Sequence, residues 1–230
     1  MTRVSKVSRT ARSAAVMLMA LIMLFQVNEV YGKSKKNKVD DTHFAAPNAS
    51  EDVQRTVKWI GKNYNNQFLP FGVIDKQNAV IHLFSKTGEA VASGPVLLGI
   101  SKTDRIDPET FKKRLSSIGP SERVTPAGRF QVVLGPDHRG KQVLWVDTKF
   151  AIALHPVVNV PGQNRKTRLN SETSSDNRIT WGCINVQPTL YKNVISSLFK
   201  RQGFVYILPE EVPVEDFIRQ VSLVSPVKNK

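Results

Sequence analysis

The feature of this sequence that most constrains its fold is a series of short apolar runs, separated by turn residues, that begins after residue 78. Residues 79–84, the turn at 85–88 and the residues from Glu89 onward are typical of a β-hairpin. Further strands are predicted at residues 96–100, 129–134, 142–146, 150–154 and 204–208. Runs this short suit strands better than helices. We therefore predict a mostly β domain of the α+β class with short flanking helices.

Helices are predicted on both sides of these strands. Ser50 can cap a helix over residues 50–63, in which Val53, Val57 and Ile60 recur at helical spacing. Other helical patterns lie at residues 188–200 and 213–221, and a short helix is expected in a charged excursion at 106–118. The predicted order is a helical extension at 50–77, one domain at 78–210, and a C-terminal helix and tail at 211–230.

The first 32 residues are typical of a secretory signal peptide. Four basic side chains, Arg3, Lys6, Arg9 and Arg12, precede an apolar run at residues 14–25. This run is about a dozen residues long, shorter than the roughly twenty that span a bilayer, so cleavage after Gly32 is favoured over a retained membrane helix. We predict an exported protein of the periplasm or cell envelope, with membrane contact only through the signal peptide before cleavage.

The chain is strongly basic, with a formal net charge of +14. Removing residues 1–32, which hold four basic side chains and Glu29, leaves a net charge of +11. An exported protein rarely meets nucleic acid, so we predict no nucleic-acid partner and expect the anionic polymers of the envelope instead. A local lysine-rich run favours a basic flexible tether at 33–49 over a specific binding patch.

The sequence contains one cysteine, Cys183, which cannot form an internal disulfide. In an exported chain such a thiol is a buried bystander, an intermolecular bridge or a reactive group. Gly182 precedes it and removes a side chain beside the sulfur, which lets a substrate carbonyl approach and suits acyl transfer. The spacing of Cys and His residues does not match a metal site, so no metal and no cofactor are predicted.

A thiol nucleophile needs a partner that removes its proton, and a neighbouring imidazolium can lower its pKa. Of the four histidines, His43 lies in the expected tether, His82 inside a strand and His138 in a turn. His155 instead ends a strand and precedes a polar stretch at residues 156–178, which is interpreted as a surface loop and candidate lid. His155 is therefore the candidate base.

Three separated motifs carry a resemblance to a known family. They are His155 at a strand end, the segment Thr180, Gly182, Cys183, Ile184 and Asn185, and the turn and strand at residues 125–130 with the sequence TPAGRF. In this order they resemble the signature of the YkuD-type L,D-transpeptidases. The resemblance covers roughly residues 79–209 and implies a single YkuD-like catalytic domain, at 78–210 in the division given above.

The resemblance also implies an activity. Cys183 would be the nucleophile, His155 the base, and the N–H groups of Gly182 and Cys183 the oxyanion donors. The substrate would be a peptidoglycan tetrapeptide stem, cleaved between its third residue and D-alanine. The sequence departs from the family pattern at Trp181, which replaces a second histidine, at Pro156, and in the 28 positions between His155 and Cys183.

Four further residues are candidate site residues under this resemblance. Thr180 and Asn185 are expected to shape the turn through hydrogen bonds from their side chains to the backbone. Arg178 could bind a carboxylate of the stem peptide, and Trp181 could pack against the donor peptide.

Two other functions fit the same residues. Resolution of the acyl-enzyme by water would give an L,D-carboxypeptidase or endopeptidase, and loss of activity would give a wall-binding module. Peptidoglycan stem peptides are the predicted partner in each case, and the sequence does not indicate an oligomeric state.

Overall fold

The computed structural model describes residues 44–224, which form a domain that is mainly β. Its strands, in chain order, are β1 (Phe71–Asp75), β2 (Val80–Phe84), β3 (Ala90–Gly99), β4 (Gly128–Pro136), β5 (Gln142–Asp147), β6 (Ile152–Pro156), β7 (Arg178–Thr180), β8 (Ile184–Val186) and β9 (Gly203–Ile207). The predicted mostly β, α+β class is confirmed.

Eight of the nine strands form a closed ring. The order is β2, β1, β9, β4, β5, β6, β8 and β3, and β3 pairs with β2 to close the ring. The short strand β7 adds to β3 on the outside of this closed order. Two pairs within the ring are parallel, β1 with β9 and β6 with β8, and the second of these carries the candidate site.

Short helices flank the sheet. They are α1 (Glu51–Asn63), α2 (Arg165–Leu169), α3 (Pro188–Leu190), α4 (Ser196–Leu198) and α5 (Val214–Val224), and a π-helical turn at Tyr191–Ile195 joins α3 to α4. Turns of 3₁₀ helix occur at Pro108–Lys112, Leu115–Ser117, Pro120–Glu122 and Ser174–Asn177. Among residues 44–224, no helix is long and apolar enough to cross a membrane.

One hydrophobic core joins the strands to the helical segment that follows β8. Its strand members include Ile74, Leu83, Leu98, Val132, Leu144, Leu154, Ile184 and Val205, all without exposed surface. Tyr191, Ile195 and Phe199 belong to the same cluster. Because both neighbours of β8 and the segment after it contribute to this core, the strand that follows Cys183 is held from several sides.

Several predicted elements agree with the structure in position. The helix predicted at residues 50–63 is α1, and the Ser50 hydroxyl accepts from the Val53 N–H at 3.4 Å. The hairpin predicted at 142–154 is β5 and β6. Two boundaries differ, because residues 90–99 form one long strand rather than two, and β4 continues through the predicted break at Pro136.

The predicted helical extension at 50–77 is wrong in its second half, because Phe71–Asp75 is strand β1 inside the sheet. All five of its residues are buried, so its sequence lacks the alternation that marks a half-exposed strand. The expected signal peptide at 1–32 and the tether up to residue 43 lie outside the described residues. The last part of the tether is packed against the domain, because the Phe44 ring stacks on Phe71 at 6.0 Å.

The segment predicted as a surface loop at 156–178 packs against strand β3. It contains α2, and Leu169 packs with Leu97, Val157 and Ile179 in a second apolar cluster. The buried Asn177 amide donates to the Val96 carbonyl at 2.9 Å. We call residues 157–177 the lid.

Candidate active site

The candidate nucleophile Cys183 follows a tight turn that is held by its own side chains. The Thr180 hydroxyl accepts from the Gly182 N–H at 3.1 Å and donates to the Cys183 carbonyl at 2.7 Å. Gly182 has a φ of +127°, and a Cβ there would lie 2.5 Å from the Val124 carbonyl oxygen. Only glycine fits this backbone without a shift, so the turn presents the thiol in one conformation.

Thr125 braces this turn from a neighbouring segment. Its buried hydroxyl donates to the Gly182 carbonyl at 2.8 Å and accepts from the Gly99 N–H at 2.8 Å. The threonine of the TPAGRF motif thus links the end of β3 to the residue before the thiol. The physical role of that motif is to fix the position of the cysteine turn.

One of the two expected oxyanion donors is already engaged. The Gly182 N–H donates to the Thr180 hydroxyl, so it does not point freely at a substrate. This corrects the expectation that both N–H groups are available, and it leaves the Cys183 N–H as the backbone donor beside the sulfur.

His155 lies on the strand adjacent to the one that follows Cys183. In the parallel pair β6–β8, Leu154 is opposite Ile184 and His155 is opposite Asn185. Residues opposite each other project to the same side, and Cys183, two residues before Asn185, projects to that side as well. The register therefore brings the candidate nucleophile and base to one face of the sheet.

Both ring nitrogens of His155 have partners. Nδ1 lies 2.9 Å from the Pro156 carbonyl oxygen, and Nε2 lies 3.2 Å from the Asn185 side-chain nitrogen. A carbonyl oxygen only accepts, so Nδ1 carries the proton and donates to Pro156. Nε2 is then unprotonated, which is the form that a general base requires, and its lone pair accepts from the Asn185 side-chain nitrogen.

The charge states of the two groups differ from the sequence expectation of an imidazolium beside a thiolate. Burial raises the pKa of the Cys183 thiol, against smaller opposing effects of the Ala153 N–H and Arg165. Burial lowers the pKa of His155, with the Pro156 carbonyl acting against it and the Arg165 charge adding to it. The resting pair is therefore a neutral thiol and a neutral imidazole. The Sγ donates to the Ala151 carbonyl at 3.6 Å.

Asn185 does not shape the turn as predicted. It is fully buried, and its amide group lies between His155 and Arg165, whose Nη1 donates to the Asn185 Oδ1 at 3.2 Å. Sequence reasoning missed Arg165, because an arginine in a polar stretch is usually solvated. The one available signal was the pair of apolar residues, Val157 and Leu169, which indicated that the stretch packs on something.

Arg178 lies in a different part of the domain from the predicted substrate contact. It is buried, and its Nη2 donates to the Glu210 carboxylate and to the Lys76 carbonyl, both at 2.6 Å. Lys76 is itself fully buried and pairs with Asp104 at 2.8 Å. Arg178 is thus part of a buried ion-pair network and is not free to bind a stem carboxylate.

Trp181 lies two residues before Cys183, is partly exposed, and forms a cation–π contact with Arg123. The Arg123 guanidinium carbon lies 3.8 Å from the ring centre, and Arg123 also donates to the Ile118 carbonyl from two nitrogens. Phe111 stacks on Phe150 at 4.6 Å, one residue before Ala151. Phe111 of the charged excursion thus packs next to the segment whose Ala151 carbonyl accepts from the thiol.

The two other described histidines, His82 and His138, have no hydrogen bond to a residue of this site. His82 is in β2, where burial lowers its pKa, and His138 accepts from Arg139 in the turn between β4 and β5. His43 falls outside the described residues. Within residues 44–224, no group of three or more His, Cys, Asp or Glu side chains could hold a metal ion.

No protein-family model and no curated protein matches this chain. Two solved structures of Pgp2, the helical cell shape determining protein of Campylobacter jejuni, are similar to it. A lysine-to-alanine variant matches with a TM-score of 0.39 and 8% identity, covering 84% of this chain and 63% of that one. Another Pgp2 structure matches with a TM-score of 0.39 and 10% identity, covering 65% and 52%.

Proposed function

We propose that this protein is an exported cysteine acyltransferase of the L,D-transpeptidase type that acts on peptidoglycan tetrapeptide stems. The observation that supports the proposal is a partly buried thiol on a turn that only glycine permits. The strand register puts it on the same face of the sheet as the neutral His155 of the adjacent parallel strand. A nucleophile and a base held on a rigid sheet suit acyl transfer. The motifs that resemble the YkuD-type family point to the substrate.

In the first half-reaction Cys183 attacks the carbonyl carbon of the third stem residue. The Sγ proton passes to His155 Nε2, a sulfur–carbon bond forms, and the carbonyl electrons move to an oxyanion that the Cys183 N–H receives. Collapse of this intermediate breaks the bond to D-alanine, whose nitrogen takes the proton back from Nε2. The product is a thioester on Cys183.

The second half-reaction decides between transfer and hydrolysis. An amine that gives its proton to His155 and attacks the thioester forms a new amide and restores the thiol. Water attacking in the same way gives a shortened stem, which is the L,D-carboxypeptidase or endopeptidase alternative. The motifs that resemble the YkuD-type transpeptidases favour transfer, so transfer is the proposed outcome.

The test is incubation of the purified protein with disaccharide tetrapeptides and mass analysis of the products. Transfer predicts crosslinked dimers and release of D-alanine, both absent with Cys183→Ala. Tripeptides without dimers would support hydrolysis instead. Unchanged tetrapeptides that bind the protein would support the wall-binding module and contradict the acyltransferase proposal.

A further inference from the structure

Arg165 is a buried cation that the lid delivers to the candidate site. The residue is 7% exposed and sits at the start of α2. Its Nε donates to the Gln163 Oε1 at 2.7 Å, and its Nη1 donates to the Asn185 Oδ1 at 3.2 Å. The lid itself is anchored by Leu169, which is buried against Leu97 and Val157. The packing of the lid therefore fixes the position of the Arg165 side chain.

The contact with Arg165 fixes which end of the Asn185 amide faces His155. A guanidinium only donates, so its partner on Asn185 must be the oxygen. The amide NH₂ then points at His155 Nε2, and a donating NH₂ requires an acceptor there. Since Asn185 has no exposed surface, neither end of its amide can turn to water instead.

This arrangement disfavours protonation of His155. A proton on Nε2 would set an N–H group against the Asn185 NH₂, and it would add a second positive charge near Arg165. If the amide were free to flip, its oxygen could accept from a protonated Nε2 while the Pro156 carbonyl accepted from Nδ1. The doubly protonated ring would then be fully hydrogen-bonded.

We propose that Arg165 is a positioning residue that, through the buried amide of Asn185, holds His155 neutral with Nε2 unprotonated. The importance of a neutral His155 for catalysis rests on the proposed acyltransferase function, whereas the hydrogen-bond relay does not. Asp137, directly after β4, acts on His155 in the opposite sense to Arg165, and Cys183 is a further titratable group on this face.

The direct test is a pH titration of the His155 ring nitrogens by NMR in the ¹⁵N-labelled protein. In the wild type, Nδ1 should be protonated and Nε2 unprotonated at neutral pH. Arg165→Met should raise the pKa of His155 and place a proton on Nε2 at a pH where the wild type has none. Arg165→Lys, which keeps a donor and a charge, should restore most of the wild-type behaviour.

Arg168→Met is the matched control, because Arg168 lies on the same helix but donates to the Asp176 carbonyl rather than to Asn185. It should leave the His155 titration unchanged. Lowering the pH from 8 to 6 should also slow carbapenem acylation in Arg165→Met, because the base is lost as the His155 ring becomes charged. This fall in rate should be about tenfold larger than the fall in the wild type.

Asn185→Asp provides a second route if Arg165→Met does not fold. Its carboxylate can still pair with Arg165 but presents an oxygen to Nε2, so the pKa of His155 should rise. An unchanged His155 titration in this variant, or in folded Arg165→Met, overturns the inference. The NMR result needs no substrate, so a protein that is inactive on stem peptides would refute the proposed function and leave this inference standing.

Discussion

The Arg123 guanidinium carbon lies 3.8 Å from the ring centre of Trp181, the residue two positions before Cys183. This pair stands where the resembled family has a second histidine, and it offers a flat apolar surface with a cation on one face. A cation–π contact that is half exposed is worth about 0.5–1 kcal/mol, so the pair holds its geometry without contributing much to stability.

Arg123→Ala is expected to raise KM for a tetrapeptide stem about three- to tenfold and to change kcat little, since it loosens a binding surface rather than the reacting groups. Steady-state kinetics on the purified protein measure both constants. Arg114→Ala is the control, because Arg114 is an exposed arginine of the preceding excursion at 106–118. A fall in kcat with unchanged KM would place Arg123 in the chemistry instead.

His155→Ala should slow formation of a carbapenem thioester near neutral pH by about 10²- to 10⁴-fold, the range usual for a positioned general base. Intact-protein mass spectrometry follows the adduct, which Cys183→Ala should not form. His138→Ala removes an exposed histidine and serves as the control. Equal rates for His155→Ala and the wild type would remove His155 from the mechanism.

Alkylation of Cys183 by a small electrophile should rise steadily with pH and have its midpoint above the ordinary thiol pKa of 9.0, because burial raises the pKa of this thiol. The sign follows from the thiolate being the reactive form, whose fraction falls as the pKa rises. Rates measured from pH 6 to pH 10 test this. A plateau already reached at neutral pH would mean that the resting site holds a thiolate–imidazolium pair.

How far the sequence predicts this site depends on whether a residue's partner is local. Ser50, the β5–β6 hairpin and the Cys183 turn depend on neighbours in the chain, and the pattern of nearby residues indicates them. The partners of Arg165 and Arg178 are distant: Arg165 contacts Asn185 across the lid, and Arg178 pairs with Glu210 beyond β9. The residues next to an arginine in the sequence do not indicate that it has a buried partner in a distant part of the chain. The sequence therefore predicts neither of these buried contacts.

The same reasoning explains why strand β1 was not predicted. Its partners, β2 and β9, lie on opposite sides of it in the sheet, and β9 comes from near the end of the described chain. A strand that is buried on both faces shows no alternation, so a run of five buried residues after a helix gives no local strand signal.

Gly182→Ala is expected to abolish acylation and to destabilise the domain by about 2–4 kcal/mol, because the new Cβ would meet the Val124 carbonyl at a positive φ. Denaturant unfolding and the carbapenem adduct measure the two effects. Gly140→Ala is a matched control: Gly140 also has a positive φ, of +75°, but a Cβ there has no atom within 4 Å. It should cost only about 1 kcal/mol and keep activity. A similar loss of unfolding free energy in the two variants would mean that the contact with Val124 does not decide the effect.

Arg178→Gln should lower the free energy of unfolding by about 3–5 kcal/mol, because it leaves the Glu210 carboxylate buried with one partner fewer. For the folded fraction of this variant, KM for the stem peptide should stay within about twofold of the wild-type value, since Arg178 does not face the site. Lys112→Gln, which removes an exposed ion pair, is the control and should change stability by less than about 1 kcal/mol. A large rise in KM for Arg178→Gln would instead indicate that Arg178 contacts the substrate.

The parallel pairing of Phe71 in β1 with Phe204 in β9 has a consequence for how the molecule is made. The ring of strands cannot close until the ninth strand has been synthesised, and contacts so far apart in the chain form slowly. Until then β1 and β4 each keep an edge with unpaired N–H and C=O groups, which are sites for pairing between chains. Chains shortened before Gly203 should therefore aggregate rather than fold into a smaller domain.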